Sequence, residues 1–271
     1  MTKAVKVEPS PEGVPGAVTD PTRVAAEELT FAGANGDQVN GYLARPADPD
    51  PAGHPGMIVI QEAMGVNDHI RDMTNRFANL GYVALAVDLY TREGGPPPME
   101  MEAMMKRLFG MSDARVLGDL EGAADLLRAR EDLTGQIGCI GFCMGGRYTL
   151  LFAGSSDRLS AAVDCWGGFI DKATPEERST PKRPTPPLEL AEKLSCPLLA
   201  AVGAEDQNPS PQLAEELRER AAKSGQPVKV NVYEGAGHAF LADYRPSYRP
   251  EPANRLWAEI VPFLSQHLGA E

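Results

Sequence analysis

The feature that most constrains this chain is a glycine-rich stretch at residues 141–146, with the sequence Gly-Phe-Cys-Met-Gly-Gly. The apolar run at 137–140 before it predicts a buried strand, and residues 147–153 after it predict a helix. A strand that turns sharply into a helix through Gly-x-Cys-x-Gly-Gly is typical of a nucleophile elbow, with cysteine in place of serine. The glycines on either side let the strand and the helix approach each other closely.

Cys143 stands at the centre of this turn, so its side chain is expected to project above the edge of the sheet. It would then lie at the N-terminus of the following helix, where the helix dipole and free N–H groups favour a negatively charged thiolate. The alternative is a small core residue, as most unpaired cysteines are. The glycine spacing and the strand-to-helix context together favour a nucleophile.

The other three cysteines are Cys139, Cys165 and Cys196, which lie in or beside apolar runs and are predicted to be core residues. No Cys-x-x-Cys pair or histidine-rich tract accompanies them, so we expect no metal site, no disulfide and no cofactor. A reduced, cytoplasmic protein is the default for such cysteine usage.

The formal net charge of −12 argues against a nucleic-acid partner, which requires a basic face. No apolar run approaches the ~20 residues that cross a bilayer, and the first residues do not resemble a signal peptide. We therefore expect a small-molecule substrate and no membrane or nucleic-acid partner, in a monomer or homodimer. An anionic substrate would need local arginines to overcome the net charge.

Short apolar strands alternate with helices through most of the chain. Strands are predicted at 57–61, 82–87, 137–142, 159–166, 197–202 and 228–233, and helices at 69–80, 99–109, 114–130, 147–153, 211–224 and 254–267. This alternation predicts an α/β fold with a mainly parallel central sheet and helices on both faces. In such sheets, sites form outside the carboxyl ends of the strands.

The remaining segments define the predicted domain organisation. Residues 1–26 are predicted to be an N-terminal arm, either loose or lying on the surface, and 27–271 a single domain that opens with a hairpin. Residues 171–187 are rich in proline and charge and lack an apolar period, so they predict a surface insertion near the active site. An inert loop and a partial lid both remain open for this insertion.

A cysteine nucleophile needs a base, and the base needs an orienting partner. His238 lies in a glycine-rich loop directly after the strand at 228–233, which is where the base follows in enzymes that use this turn. The three other histidines, His54, His69 and His267, have no such context. An ordinary loop histidine is the alternative for His238.

The acid should follow a strand that lies between the nucleophile and the histidine. Asp206 closes the turn after the strand at 197–202 and is the best candidate; Glu205, Asp164 and Asp171 are the alternatives. We expect Asp206 to accept Nδ1–H of His238 and to stabilise the imidazolium. Its other possible role is that of a turn-forming aspartate.

Two backbone N–H groups are predicted to form an oxyanion hole, those of Met144 after the nucleophile and of Ala63 after the strand at 57–61. Glu62 ends that buried strand, and a buried carboxylate is costly unless it has a partner or a function. It could accept the thiol proton. Arg92 ends the next strand and could bind an anionic substrate, or could pair with Glu62 or Asp88.

Five motifs together resemble the dienelactone hydrolase, or carboxymethylenebutenolidase, family of the α/β-hydrolase superfamily. They are Gln-Glu-x-x-Gly-Val-Asn at 61–67, Asp-Leu-Tyr-x-Arg at 88–92, Gly-Phe-Cys-x-Gly-Gly at 141–146, Gly-x-x-Asp at 203–206 and Gly-His-x-Phe at 237–240. They occur in the order and spacing of that family, and the resemblance covers roughly residues 27–268.

The resemblance implies an α/β-hydrolase fold with Cys143, Asp206 and His238 as the catalytic triad. It also implies that Glu62 holds or receives the thiol proton, and that Arg92 binds a substrate carboxylate and displaces Glu62 toward the thiol. The implied reaction is attack on a lactone carbonyl, formation of an acyl-enzyme thioester and hydrolysis to maleylacetate.

This chain also departs from the best-known members of that family. Ala242 stands where they carry a second arginine, and Arg245 is the candidate to take its place. The remaining candidate substrate-binding residues are Tyr90, Trp166 and Phe240. The leading prediction is a cysteine-dependent hydrolase of small esters or lactones. The alternatives are a broad-specificity carboxylesterase without dienelactone activity and a non-catalytic small-molecule binding module.

Overall fold

A mainly parallel sheet forms the centre of the molecule. The computed structural model describes residues 2–48, 50–171 and 180–269. Within these ranges the strands are β1 (Lys3–Val5), β2 (Val24–Ala32), β3 (Gln38–Pro46), β4 (His54–Ile60), β5 (Val83–Val87), β6 (Leu133–Phe142), β7 (Ala161–Cys165), β8 (Leu198–Gly203) and β9 (Val228–Tyr233). Their order across the sheet is β1-β2-β3-β5-β4-β6-β7-β8-β9. The strands from β5 to β9 in that order are parallel, whereas β1, β2, β3 and β5 pair antiparallel.

Helices cover both faces of this sheet. They are α1 (Asp68–Asn79), α2 (Met101–Gly110), α3 (Asp113–Arg128), α4 (Met144–Ser155), α5 (Pro187–Leu190), α6 (Pro211–Ala222) and α7 (Pro250–Leu268). Buried side chains of α1 and α7 pack against one face, and those of α3, α4 and α6 pack against the other. The start of α1 is stabilised by Asn67, whose side chain accepts a hydrogen bond from the N–H of Ile70.

Strand β4 illustrates why both faces need a helical layer. All of its residues are buried. Met57 and Val59 contact the layer that contains α1 and α7, whereas Ile58 and Ile60 contact the opposite layer. Successive side chains of a strand point to opposite faces, so a strand that is apolar throughout must be covered on both sides. The strands from β4 to β9 pair in parallel, so the loops that follow their carboxyl ends lie along one edge of the sheet.

The predicted α/β architecture with a mainly parallel sheet is confirmed. Part of the predicted arm adds β1 to the sheet by pairing with β2, and another part contacts α1, where Arg76 donates to the carbonyl of Pro15 at 3.1 Å. In the described chain, no helix has the length and apolar character needed to span a membrane.

The predicted insertion at 171–187 lies partly outside the described residues, which omit 172–179. Its remaining part packs against the end of α2. Arg183 donates to the carbonyl of Leu108, and Lys182 donates to the carbonyl of Gly110 at 2.9 Å.

Candidate active site

Cys143 lies in the turn between β6 and α4, with φ of 56° and ψ of −114°. Residues with a side chain rarely adopt this conformation, which costs on the order of 1–3 kcal/mol. The surrounding backbone holds it in place, because the N–H of Cys143 donates to the carbonyl of Cys165 at 3.0 Å. Gly145 permits the close packing of α4, since a Cβ there would lie 2.3 Å from the carbonyl oxygen of Ile60. The thiol is thereby fixed at the start of α4, beside the end of β4.

The four cysteines differ sharply in their surroundings. Burial raises the pKa of Cys139 and of Cys196 to about 12, and it raises the pKa of Cys165 well above its usual range. Cys143 is instead partly exposed and lines a cavity. Cys143 is therefore the cysteine that a small molecule in this cavity can contact.

His238 and Asp206 form a hydrogen-bonded pair at the same end of the sheet. Nδ1 of His238 lies 2.8 Å from Oδ2 of Asp206, and the other carboxylate oxygen accepts the N–H of Asn208 at 3.0 Å. Burial of the imidazole opposes its charged form. Hydrogen bonds and charge from Asp206 and Cys143 outweigh that effect and raise the pKa of His238 to about 10. With Nδ1 bound to Asp206, Nε2 is the nitrogen available to the thiol.

The predicted oxyanion-hole residues, Ala63 and Met144, line the same cavity as Cys143. Tyr90 supports this part of the wall, because its hydroxyl lies 3.1 Å from the carbonyl oxygen of Ala63 and 3.5 Å from the sulfur of Met144. Tyr90 was expected to bind substrate. Its side chain is fully buried and does not line the cavity, so we correct that role to the support of the loop at Ala63.

Glu62 is buried, and its carboxylate is surrounded by polar partners. Its Oε2 lies 3.3 Å from Nη2 of Arg245. Its Oε1 accepts a hydrogen bond from Tyr244 and lies 3.5 Å from Nδ2 of Asn67. Arg245 itself lines the cavity. Sequence reasoning missed Tyr244, although its place beside Arg245 in the stretch that follows His238 is a signal that could have indicated it.

Arg92 lies away from this cavity, and the expectation that it binds a substrate carboxylate is corrected. Its two terminal nitrogens donate to both oxygens of Asp119 in α3, at 2.8 and 2.9 Å. Its Nε donates to Asp37 at 2.8 Å. The guanidinium is thus held by two carboxylates. The sequence had suggested Glu62 or Asp88 as its partner, and neither of them binds it.

We expect Arg92→Gln to lower the free energy of unfolding by about 3 kcal/mol, because the fully buried side chain of Asp119 would lose its bidentate partner. Urea denaturation of the variant and the parent protein measures this difference. Asp37→Asn is the matched control, because Asp37 is more than half exposed and its loss should cost far less. Equal, small effects of both substitutions would contradict this assignment.

Trp166 and Phe240 are also placed differently from the prediction. Both side chains are buried and neither lines the cavity. Their ring centroids lie 4.9 Å apart, and Trp166 also packs on Phe142 of β6 at 6.0 Å. We correct their predicted role in substrate binding: they form an aromatic cluster that supports the elbow and the loop of His238.

The cavity that contains Cys143 has a volume of about 330 Å³. This lies near the lower end of the ~300–1,000 Å³ typical of small-molecule sites. Methionine side chains from α2 contribute to its wall. The residues that line it are Ala63, Met64, Met101, Met104, Met105, Leu108, Cys143, Met144, Arg147, Gly168, Phe169, Asp206, Gln207, Asn208, His238 and Arg245. Within the described ranges, no group of three or more His, Cys, Asp or Glu side chains is arranged to hold a metal ion.

Known proteins share both this sequence pattern and this fold. The model of the dienelactone hydrolase family matches residues 39–268. A protein of Methylorubrum extorquens named "Putative carboxymethylenebutenolidase" is 33% identical over 92% of this chain and 84% of its own length. A protein of Escherichia coli K12 with the same name is 33% identical over 93% of this chain and 91% of its own length.

A solved structure shows the same relationship in three dimensions. The crystal structure titled "Putative Dienelactone Hydrolase" from Klebsiella pneumoniae superposes with a TM-score of 0.82 at 33% identity, covering 90% of this chain and 99% of that one. The resemblance inferred from the five motifs and the α/β-hydrolase fold are therefore confirmed. The chain belongs to the dienelactone hydrolase family of ester and lactone hydrolases.

Proposed function

We propose that this protein hydrolyses small carboxylic esters or lactones through a thioester formed on Cys143. One observation carries the proposal: the thiol shares a cavity with His238, whose Nδ1 is hydrogen-bonded to Asp206. A nucleophile, a base and an orienting carboxylate in this relation are the groups that acyl transfer requires.

In the first half of the reaction, the thiol proton of Cys143 passes to Nε2 of His238, and the sulfur attacks the carbonyl carbon of the ester. The negative charge that develops on the carbonyl oxygen is stabilised by the N–H groups of Ala63 and Met144. The bond to the leaving oxygen then breaks, and His238 donates its Nε2 proton to that oxygen. The acyl group remains on Cys143 as a thioester. In a lactone the leaving oxygen stays attached, so the ring opens.

In the second half, His238 accepts a proton from a water molecule that attacks the thioester carbonyl. The same two N–H groups stabilise the second oxyanion. The C–S bond breaks, the carboxylic acid leaves, and the thiol–imidazole pair is restored. Asp206 keeps the imidazole in one orientation in both halves and stabilises its positive charge.

The ion pair of Glu62 and Arg245 would allow an anionic substrate to promote its own hydrolysis. Arg245 lines the cavity while its guanidinium is paired with Glu62 at 3.3 Å. A substrate carboxylate would compete with Glu62 for this guanidinium. As the family resemblance implies, the released Glu62 would then turn toward the thiol and accept its proton in place of His238. Arg245 takes the part that the sequence had assigned to Arg92.

Turnover of p-nitrophenyl acetate and of dienelactone by the purified protein tests this function. We expect catalytic release of acetate from p-nitrophenyl acetate and catalytic ring opening of dienelactone. Binding of these compounds with turnover of neither would instead support a non-catalytic binding module.

We expect Arg245→Gln to reduce kcat/KM for dienelactone by about 30-fold, because it removes a charge-assisted contact to the substrate carboxylate. The same variant should change kcat/KM for uncharged p-nitrophenyl acetate by less than about threefold. Steady-state kinetics with both substrates measure the ratio, and Arg92→Gln is the control that should leave this ratio unchanged.

The pairing of Arg92 with Asp119 favours one alternative within the same chemistry, a broad-specificity carboxylesterase without dienelactone activity. Equal effects of Arg245→Gln on the charged and the uncharged substrate would favour that alternative. They would contradict a role of Arg245 in binding a carboxylate.

A further inference from the structure

One wall of the active-site cavity is an apolar face of α2. Four side chains of this helix line the cavity that contains Cys143, and their spacing puts them on one face of the helix. They are Met101, Met104, Met105 and Leu108, and we call them the methionine wall. On the same helix, Glu102 and Lys106 are exposed to solvent. The chain thus directs the apolar side of an amphipathic helix into its own active site.

The two ends of α2 are held differently. Beyond its C-terminal end, the N–H of Asp113 donates to the carbonyl of Lys182 at 2.8 Å, and Arg147 binds the Asp113 carboxylate at 2.7 and 3.0 Å. Lys182 also donates to the carbonyl of Gly110. At the N-terminal end, Glu100 makes no capping hydrogen bond through its side chain. The C-terminal end of α2 is therefore fixed by contacts with other parts of the chain.

The exposure of this wall does not fit a purely structural role. Leu108 is buried and packs in the core, but Met101 is 68% exposed. Met101 lines the cavity although its apolar side chain is largely exposed, and an exposed apolar side chain at a cavity marks a surface that binds an apolar group. Methionine is flexible and polarizable, so it can adapt to ligands of different shape.

We propose that the preferred substrate carries an apolar chain or ring, longer than an acetyl group, that lies along Met101, Met104 and Met105 while its ester carbonyl is attacked by Cys143. This inference rests on the proposed function and adds the substrate class. The apolar group can belong to the acyl part or to the alcohol part of the ester, because both adjoin the reacting carbonyl. Its transfer from water to the methionine wall would supply binding free energy in proportion to the area covered.

Two series of esters test the proposal and distinguish the two parts of the substrate. The first series varies the acyl group from acetate to hexanoate with p-nitrophenolate as the constant leaving group. The second varies the alcohol from ethyl to hexyl in acetate esters. We expect kcat/KM to rise about tenfold along at least one of the series. Ester turnover with a flat profile in both series would overturn the inference and leave the proposed function intact.

Met104→Gln tests whether α2 provides this preference, since glutamine has a similar length but a polar end. We expect the hexyl-to-ethyl or hexanoate-to-acetate ratio of kcat/KM to fall about fivefold, and the same for Met105→Gln. Met99→Gln is the matched control, because Met99 is exposed but does not line the cavity, and its ratio should stay unchanged. Unchanged ratios in both cavity variants would overturn the role of α2. Parent protein that turns over none of the esters would overturn the proposed function itself.

Discussion

Cys143→Ala is expected to reduce kcat/KM for p-nitrophenyl acetate by about 10⁴-fold, because it removes the atom that forms the acyl bond. The fold should survive, since the side chain is partly exposed at the cavity and contributes little to the core. Steady-state kinetics together with a thermal unfolding curve measure both expectations.

Two further substitutions sharpen this test. Cys143→Ser should retain weak activity, because an alcohol is harder to deprotonate than a thiol. Cys196→Ala is the control, since Cys196 is buried and burial raises its pKa to about 12; it should keep its activity. Full activity of Cys143→Ala would remove this residue from the mechanism.

Asp206→Asn is expected to lower kcat by about 10²–10⁴-fold. The amide cannot stabilise the imidazolium, and it can hold His238 in the wrong tautomer. Kinetics at saturating substrate measure the loss. The expected pH dependence gives a second readout. In the parent protein, kcat/KM should fall as the pH rises through about 10, because His238 then loses the proton that it donates to the leaving oxygen.

The direction of the shift in the variant follows from the same contact. The Asp206 carboxylate raises the pKa of His238, so replacing Asp206 by Asn lowers that pKa. The fall of kcat/KM at high pH, which is the alkaline limb of the pH profile, then moves to lower pH. Glu205→Gln is the matched control, because Glu205 is the exposed neighbour of Asp206 and should leave the limb in place. An alkaline limb that stays in the same position in Asp206→Asn would contradict the proposed pairing.

The sequence predicts those helices and strands whose apolar residues recur at a regular spacing. Strand β4 is a continuous apolar run, and α1 has an apolar face at helical spacing, so both are recognisable without a structure. The proximity of Cys143, Asp206 and His238 could also be predicted, because each follows a parallel strand and the carboxyl ends of parallel strands share one edge. Strand β1 was missed because a strand of only three residues carries no periodic signal.

Long-range side-chain pairing could not be predicted in the same way. Arg92 lies in the segment that follows β5, where a substrate-binding arginine could stand, but its guanidinium binds Asp119 on α3. Nothing in the local sequence shows which carboxylate a long side chain will meet. Trp166 and Phe240 were misassigned for a related reason: an aromatic residue next to a motif can line the site or support it from behind, and these two are buried.

The methionine wall shows a further limit of sequence reasoning. The spacing of Met101, Met104, Met105 and Leu108 predicts a helix with an apolar face, and α2 is that helix. The sequence cannot say whether such a face covers the core or a cavity. That depends on how the segment at 180–183 and the pair of Arg147 with Asp113 hold the end of α2.

The most direct test of the central claim is the mass of the protein during turnover. If p-nitrophenyl acetate is mixed with the enzyme and the reaction is stopped in acid within milliseconds to seconds, we expect one acetyl group per chain, on the peptide that contains Cys143. Cys143→Ala should carry none, and the acetyl group on the parent protein should disappear as the substrate is consumed. An acyl group on another residue, or active enzyme in which the thiol of Cys143 remains alkylated throughout turnover, would contradict a thioester mechanism.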